Sequence, residues 1–169
     1  GNWYSAQHSA DAPPSSANTN YNPYDTKPGF LYYWTDEEKA VLQDMTLTLA
    51  NNKVTDGGGS YTWTGKVWLP TYTQMSGSQN NGISEGIQFS KFTDNTSRIK
   101  TIHAMCAANN QYCIDKNKTE GTAWSYWEIS ANPSFSNHAR LVLSDGNPDN
   151  YSSARGGSFG VVPCIRVPR

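Results

Sequence analysis

The sequence predicts a small α+β fold, and three observations carry that prediction. The stretch "WTDEEKAVL" is a well-formed helix start, because Thr35 followed three residues later by Glu38 makes a capping box and Asp36 and Glu37 suit the positive helix end. The stretch "MTLTLA" alternates with period two and reads as a half-buried strand. In the last third, "AWSYWEIS", "ARLVL" and "GVVPCIRV" are further strand candidates, separated by segments rich in Gly, Pro, Asn and Ser. A chain of 169 residues is about the length of one domain whose core buries roughly two-thirds of the unfolded surface, so residues 1–169 are read as a single domain.

Taken in order, residues 1–29 carry no periodicity but many turn residues, with Pro13, Pro14, Pro23 and Pro28 as punctuation. Trp3, Tyr4, Tyr21 and Tyr24 predict an ordered arm packed on the domain, since disordered segments are poor in aromatics. The helix after Thr35 draws a short apolar face from Ala40, Val41 and Leu42. "DGGGS" then ends the "MTLTLA" strand as a flexible loop, and "YTWTGKVWLPTYTQM" continues with aromatic and β-branched residues, Pro70 marking an edge or strand end. "GISEGIQFSKFTDNTSRIKTIHAM" predicts a helical turn or two without clear boundaries. Residues 144–159, "SDGNPDNYSSARGGSF", read as a long polar loop held between two strands, and residues 124–169 as the strands and loops of a ligand-binding face.

Composition narrows the function classes. Charged residues are only 16% and the net charge is −1, which argues against a polybasic nucleic-acid surface and against an acidic tail. Ten Tyr and 6 Trp beside 14 Gly and 9 Pro describe a loop-rich fold with amphipathic rings, a composition suited to binding. No apolar run approaches the roughly 18 to 20 residues of a membrane span, and no leader pattern opens the chain, so a soluble protein without membrane insertion is expected. Gly1 in place of Met reads as processing or excision from a longer polypeptide.

Chemistry-bearing motifs are sparse. His8, His103 and His138 stand in unlike contexts without triad or metalloprotease spacing. Cys106, Cys113 and Cys164 contain no Cys-x-x-Cys pair; a local Cys106 to Cys113 bridge is open, a metal site with His103 is disfavoured by a Cys to Cys interval unlike structural zinc patterns, and Cys164 reads as a small buried apolar residue. "DGGGS" lacks the lysine and following helix of a phosphate cradle. Asp145, Asn147 and Asp149 place oxygens at alternate positions as calcium loops do, but neither the glycine nor the distal glutamate follows, so a polar turn is expected and no cofactor is assigned. Glycosylation acceptor patterns at Asn95, Asn117 and Asn150 matter only in a eukaryotic secretory pathway.

Read together, "PGFLYYWTDEEKAVL", "DGGGSYTWTGKVWLPTYTQM", "SEGIQFSKFTDNTSRIK" and "WSYWEIS...ARLVLSDG...GVVPCIRV" resemble, in order and over nearly the whole chain, an uncharacterised domain family of Firmicutes and their phages. That family looks like a branch of the C-type lectin fold, the scaffold of formylglycine-generating enzymes and of the variable proteins of diversity-generating retroelements. The resemblance implies small twisted antiparallel sheets flanked by helices, with a loop-rich binding face built from the C-terminal third. Two family arginine positions are aliphatic here, within Trp127–Ala131 and within Gly160–Cys164. The cysteine pair and the calcium and copper ligands of the enzymatic relatives have no counterparts, so no catalytic residue is assigned.

The resemblance therefore implies a non-catalytic receptor or adhesin domain on a phage tail, virion or bacterial surface, recognising a cell-surface protein or glycan. The segment "NPSFSNHARLVLSDGNPDNYSSARGGSF" is written in Tyr, Ser, Asn, Asp, Gly, Arg and Phe, the vocabulary of adaptable binding loops. In retroelement-diversified proteins, mutated asparagine codons give the same residues; an undiversified lectin-like loop reads equally well. Candidate contacts, on the assumption of alternating strand exposure, are Tyr126, Glu128, Asn132, Ser134, Phe135, Asn137, His138, Arg140, Asn147, Asp149, Asn150, Tyr151, Ser153 and Arg155, with Arg140 and Leu141 free to trade faces. A structural assembly module of a virion or surface array is the alternative from another class, and an oxidative enzyme of the formylglycine-generating type is a third.

Overall fold

Thr35 opens a helix as its capping box predicts. Its hydroxyl accepts from the Glu38 amide at 3.2 Å and Glu38 Oε2 accepts from the Thr35 amide at 2.8 Å, starting α1 (Asp36–Ala40). The computed structural model describes residues 29–109, 111–156 and 159–168, so the arm expected over residues 1–29 lies, but for Gly29, outside the described residues. The apolar face expected on this helix is not formed: α1 is a single turn with no buried residue, Ala40 and Val41 are exposed, and only Leu42 beyond its end enters the core. One helical turn is too short to lay a stripe of side chains against a partner.

"MTLTLA" forms strand β1 (Met45–Ala50), with Leu47 and Leu49 buried and Thr46 and Thr48 exposed. It pairs antiparallel with β2 (Ser60–Gly65), from Met45 opposite Gly65 to Ala50 opposite Ser60, and the Thr46 and Thr64 hydroxyls meet at 3.0 Å on the outer face. The turn between them needs three consecutive residues at φ of +72°, +82° and +74°, positions filled by Gly57, Gly58 and Gly59 and costly for any residue with a Cβ.

Past β2 the chain departs from a continuous strand. The short β3 (Val67–Trp68) ends before Pro70, and "TYTQ" then acts as a second capping box, Thr71 with Gln74, that opens α2 (Tyr72–Ser76); Gly77 closes it at φ +77°. Three brief helices follow, α3 (Asn95–Arg98), α4 (Ala104–Asn109) and α5 (Gln111–Asp115).

The C-terminal third holds a three-stranded antiparallel sheet in the order β4 (Tyr126–Ala131), β5 (His138–Val142), β6 (Asn150–Ser153). Strand β6 lies inside the segment expected to be loop. "NYSS" carries no apolar alternation, and backbone pairing with β5 (His138 opposite Ser153, Arg140 opposite Tyr151) holds it as an edge. Conversely "GVVPCIRV" yields only the two-residue β7 (Cys164–Ile165), antiparallel to β3, with a parallel bridge from Gly160 to Tyr126.

The observed class is α+β with small antiparallel sheets and short helices. One core cluster joins Leu47 and Leu49 of β1, Trp68 of β3, Trp127 and Ile129 of β4 and Ala139 and Leu141 of β5, so elements of all three sheets share one interior. A second, smaller cluster of Met75, Tyr126 and Val142 sits on the other face of the β4–β5 pair, under α2. Among the described residues no helix is long and apolar enough to cross a membrane.

Candidate functional site

The β4–β5–β6 sheet has two faces of unlike chemistry, and register assigns its residues to them. Side chains opposite one another and two apart along a strand share a face. Ala139 and Leu141 turn inward, each 1% exposed, so His138 and Arg140 with their partners Ser153 and Tyr151 occupy the other side. That settles the register left open at "RLVL": Leu141 is core, and Arg140 is not.

At the outer end of this face three rings converge. Phe135 stacks on Tyr151 with centroids 5.1 Å apart and planes at 29°, His138 meets Tyr151 edge-on at 5.6 Å, and Phe135 lies 5.2 Å from His138. Phe135 and Tyr151 remain 45% and 43% exposed, a large apolar area left in water at the centre of short polar residues. Asn137 and Ser134 are exposed beside them, and Asn137 Oδ1 lies 2.8 Å from His138 Nδ1.

The loop that carries Phe135 is built from below. Asn132, 4% exposed, accepts from the Ser134 and Phe135 amides through Oδ1 at 2.9 and 3.1 Å. Asn52, in the turn after β1, donates to the carbonyls of Asn132 at 2.6 Å and Phe135 at 2.8 Å, while its own Oδ1 caps the Val54 and Thr55 amides at 2.7 and 3.0 Å. The Lys53 amide adds a bond to the Pro133 carbonyl at 3.1 Å. The tip is therefore tied to the β1–β2 turn rather than hanging free.

One step inward, Arg140 is gripped on three sides. Its guanidinium lies 3.8 Å from the centroid of the Tyr72 ring, its Nε donates to Asn80 Oδ1 at 2.9 Å, and an outer nitrogen pairs with Asp149 at 3.3 Å. Asn80 in turn donates to Glu85 Oε1 at 3.0 Å, the Ala50 amide donates to the same oxygen at 3.0 Å, and the Ser130 hydroxyl bonds the other carboxylate oxygen. Ser130 Oγ also accepts from the Tyr72 amide at 2.8 Å, which sets α2 against β4. Burial pushes the Glu85 carboxyl above its ordinary range, against the hydrogen bonds from Asn80, Ser130 and Ala50 and the charge of Arg140. The Glu128 carboxyl is pushed well above that range, again chiefly by burial, with Arg140 acting in the opposite sense.

Three expected contacts belong inside. Tyr126 is 1% exposed, Glu128 0% and Asn132 4%; alternate exposure fails on β4, whose first five residues are all buried. Trp127 and Ile129 face the main core, and Tyr126 and Ser130 face α2 and its neighbours, so the strand is covered on both sides. Tyr126 donates to the Arg98 carbonyl at 2.9 Å. Of the remaining candidates, Asn150 shares the side of Leu141, and Arg155 is exposed beyond the end of β6.

The Asp145, Asn147 and Asp149 oxygens serve the chain itself. Asp145 caps the Asn147 amide and Asn147 the Asp149 amide, both at 2.9 Å, and Asp149 pairs with Arg140. Gly146, at φ +85°, lies so close to α3 that a Cβ there would overlap the Asn95 carbonyl oxygen. The Cys106 to Cys113 bridge is not formed: Cys106, Cys113 and Cys164 are free thiols, exposed, buried and half-buried in turn. Among the described residues no group of three His, Cys, Asp or Glu side chains could hold a metal ion.

Asn52, Tyr72, Asn80 and Glu85 escaped the sequence reading because the partners that draw them into the site are remote: Asn52 reaches residues 80 and 83 positions on, Asn80 one 60 positions on, and Glu85 residues 35 and 45 positions away, although Asn80 and Glu85 themselves stand 5 apart. Only the second capping box, "TYTQ", offered a local signal for Tyr72. The family described as Domain of unknown function (DUF6273) matches residues 13–169, so the chain belongs to that family. No curated protein and no solved structure matches it.

Proposed function

We propose that this member of the DUF6273 family is a non-catalytic ligand-binding domain with a C-type lectin-like scaffold, carried by a phage tail or bacterial surface protein and recognising a cell-surface protein or glycan. One observation carries the reading: Phe135, His138 and Tyr151, from a loop and two strands, meet as an exposed aromatic cluster on a rigid polar foundation. Aromatic area at low conformational cost, ringed by small hydrogen-bonding residues, is how adaptable binding surfaces obtain affinity. Contacts are assigned to Phe135, Tyr151, His138, Asn137, Ser134, Ser153 and Asp149, with Arg140 holding the strands beneath them.

The test is binding of the labelled domain to a glycan array and to a panel of intact bacterial cells, with wild type against Phe135→Ala/Tyr151→Ala. Loss of every wild-type signal in the folded double variant is expected; a signal that survives it moves the site elsewhere. Diversification by a retroelement belongs to the same reading, and sequencing the codons for residues 126–159 across a source population decides it. Variation at adenine-templated positions supports it, and an invariant segment removes it.

A structural assembly role is favoured by a different feature, the exposed run Phe30, Tyr32 and Tyr33 at 47%, 38% and 80%, with Phe30 against Trp34 at 5.6 Å. Sedimentation at increasing concentration, with Tyr33→Ser as the control, separates self-association from ligand binding.

A further inference from the structure

We propose that the groove between the start of β1, the 89–92 turn and the C-terminal strand is a second binding site, for a small amphiphilic anion with an apolar body and one carboxylate or similar head. The groove has a volume of about 1060 Å³ and shares no lining residue with the aromatic cluster. Small-molecule sites are typically about 300–1,000 Å³, apolar, with a few placed polar groups, and this one has that make-up.

Its walls are Met45, Trp68, Phe89, Phe92, Ile165 and Val167. Phe89 and Phe92 brace each other edge-on at 5.8 Å and 77°. Ile165 and Val167 remain 39% and 53% exposed, so apolar surface faces the opening without cover from the described residues. Burial of the Cys164 thiol pushes its pKa up to about 12, and at neutral pH the sulfur adds polarisable, uncharged lining.

The charges are one-sided. Among the described residues Lys91 and Arg166 line the groove and no Asp or Glu does. Lys100 adds a third cation at its edge, 4.4 Å over the Phe92 ring. Among the described residues Arg140 pairs with Asp149, and no ion pair engages Lys91, Lys100 or Arg166. Apolar walls lower the effective dielectric around those cations, which strengthens their attraction for an anion seated there and penalises a cation. The occupant is accordingly a monomeric amphiphile whose tail lies on Trp68 and the two phenylalanines and whose head meets Lys91 and Arg166.

Calorimetric titration with three ligands of equal chain length tests this below their micelle concentrations: laurate, dodecyl maltoside and dodecyltrimethylammonium. Saturable laurate binding is expected, with the neutral and cationic analogues weaker by about tenfold or more. Lys91→Glu/Arg166→Glu, two exposed positions, should lose about tenfold for laurate and gain for the ammonium ligand, with unchanged circular dichroism confirming the fold. Phe135→Ala should leave laurate affinity unchanged. Equal affinity for the three heads, indifference to the charge reversal, sensitivity to Phe135→Ala, or no laurate binding would each overturn the proposal.

Discussion

Glu85→Ala removes the acceptor on which three buried donors converge. The Ala50 amide at 3.0 Å, Asn80 Nδ2 at 3.0 Å and the Ser130 hydroxyl all bond this carboxylate. A buried donor left without a partner costs about 1–3 kcal/mol. The three do not suffer equally. Asn80 keeps its bond to the Ala131 carbonyl at 3.1 Å and the serine hydroxyl can rotate, whereas the Ala50 amide has no such alternative. Removing a carboxyl whose burial raises its pKa also recovers some desolvation cost, so the net loss is set at about 3 kcal/mol. For a domain of this size that lowers Tm by roughly 6–12 °C. Glu85→Gln keeps the oxygen that serves Ala50 and Asn80 and should lose only about 1 kcal/mol. Urea unfolding at constant m-value measures both. Glu85→Ala costing under about 1 kcal/mol, or Glu85→Gln costing as much as Glu85→Ala, would refute the assignment of the network as the foundation of the site.

Four further outcomes are expected. Gly146→Ala should destabilise by roughly 2–4 kcal/mol, because it meets the Asn95 carbonyl oxygen at a left-handed φ; a loss below half of that in urea titration would show that the turn can move. Asn52→Ala, which abandons two loop carbonyls and two amides, should cost about 2–4 kcal/mol and broaden the Phe135 ring signals in NMR spectra. Phe135→Ala and Tyr151→Ala, each removing a half-exposed ring, should each cost under about 2 kcal/mol; a loss of twice that would make them core residues. Glu128 holds its proton to a higher pH in the fold than in the unfolded chain, so its stabilisation is complete below the unfolded pKa and is lost as pH rises through the folded one. The urea midpoint of wild type should accordingly fall relative to Glu128→Gln between about pH 4.5 and neutrality, and a relative rise over that window contradicts the burial argument.

The sequence was most informative where structure is local. Thr35 and Glu38, the "MTLTLA" alternation and the glycine turn needed only neighbours within a few residues, and their positions were legible. The second capping box was equally local but lay inside an aromatic run that suggested strand. Strand β6 was invisible because "NYSS" has neither apolar alternation nor β-branched residues; its pairing partner, not its composition, makes it extended. In the candidate site, Phe135, His138 and Tyr151 were legible as aromatic residues among small polar ones, and the structure places the three together. Tyr126 and Glu128 were misplaced because alternation presumes one wet face, and β4 has none; Asn132, just past its end, is turned inward to cap the Ser134 and Phe135 amides. The Glu85 network was unreadable, since Asn80 is its one nearby member and Ala50 and Ser130 are brought to the carboxylate only by the tertiary fold.

The contact of Gly146 with α3 bears on how this surface can change over generations. The 143–149 turn closes on its own backbone and meets α3 main chain against main chain at Gly146, while the side chains at positions 134, 135, 137 and 151 are exposed and those at 138 and 153 half-buried. A library that randomises those six positions and holds Gly146, Asn132 and Asn52 constant should yield folded clones at high frequency, which makes the domain a ready frame for selecting new binders.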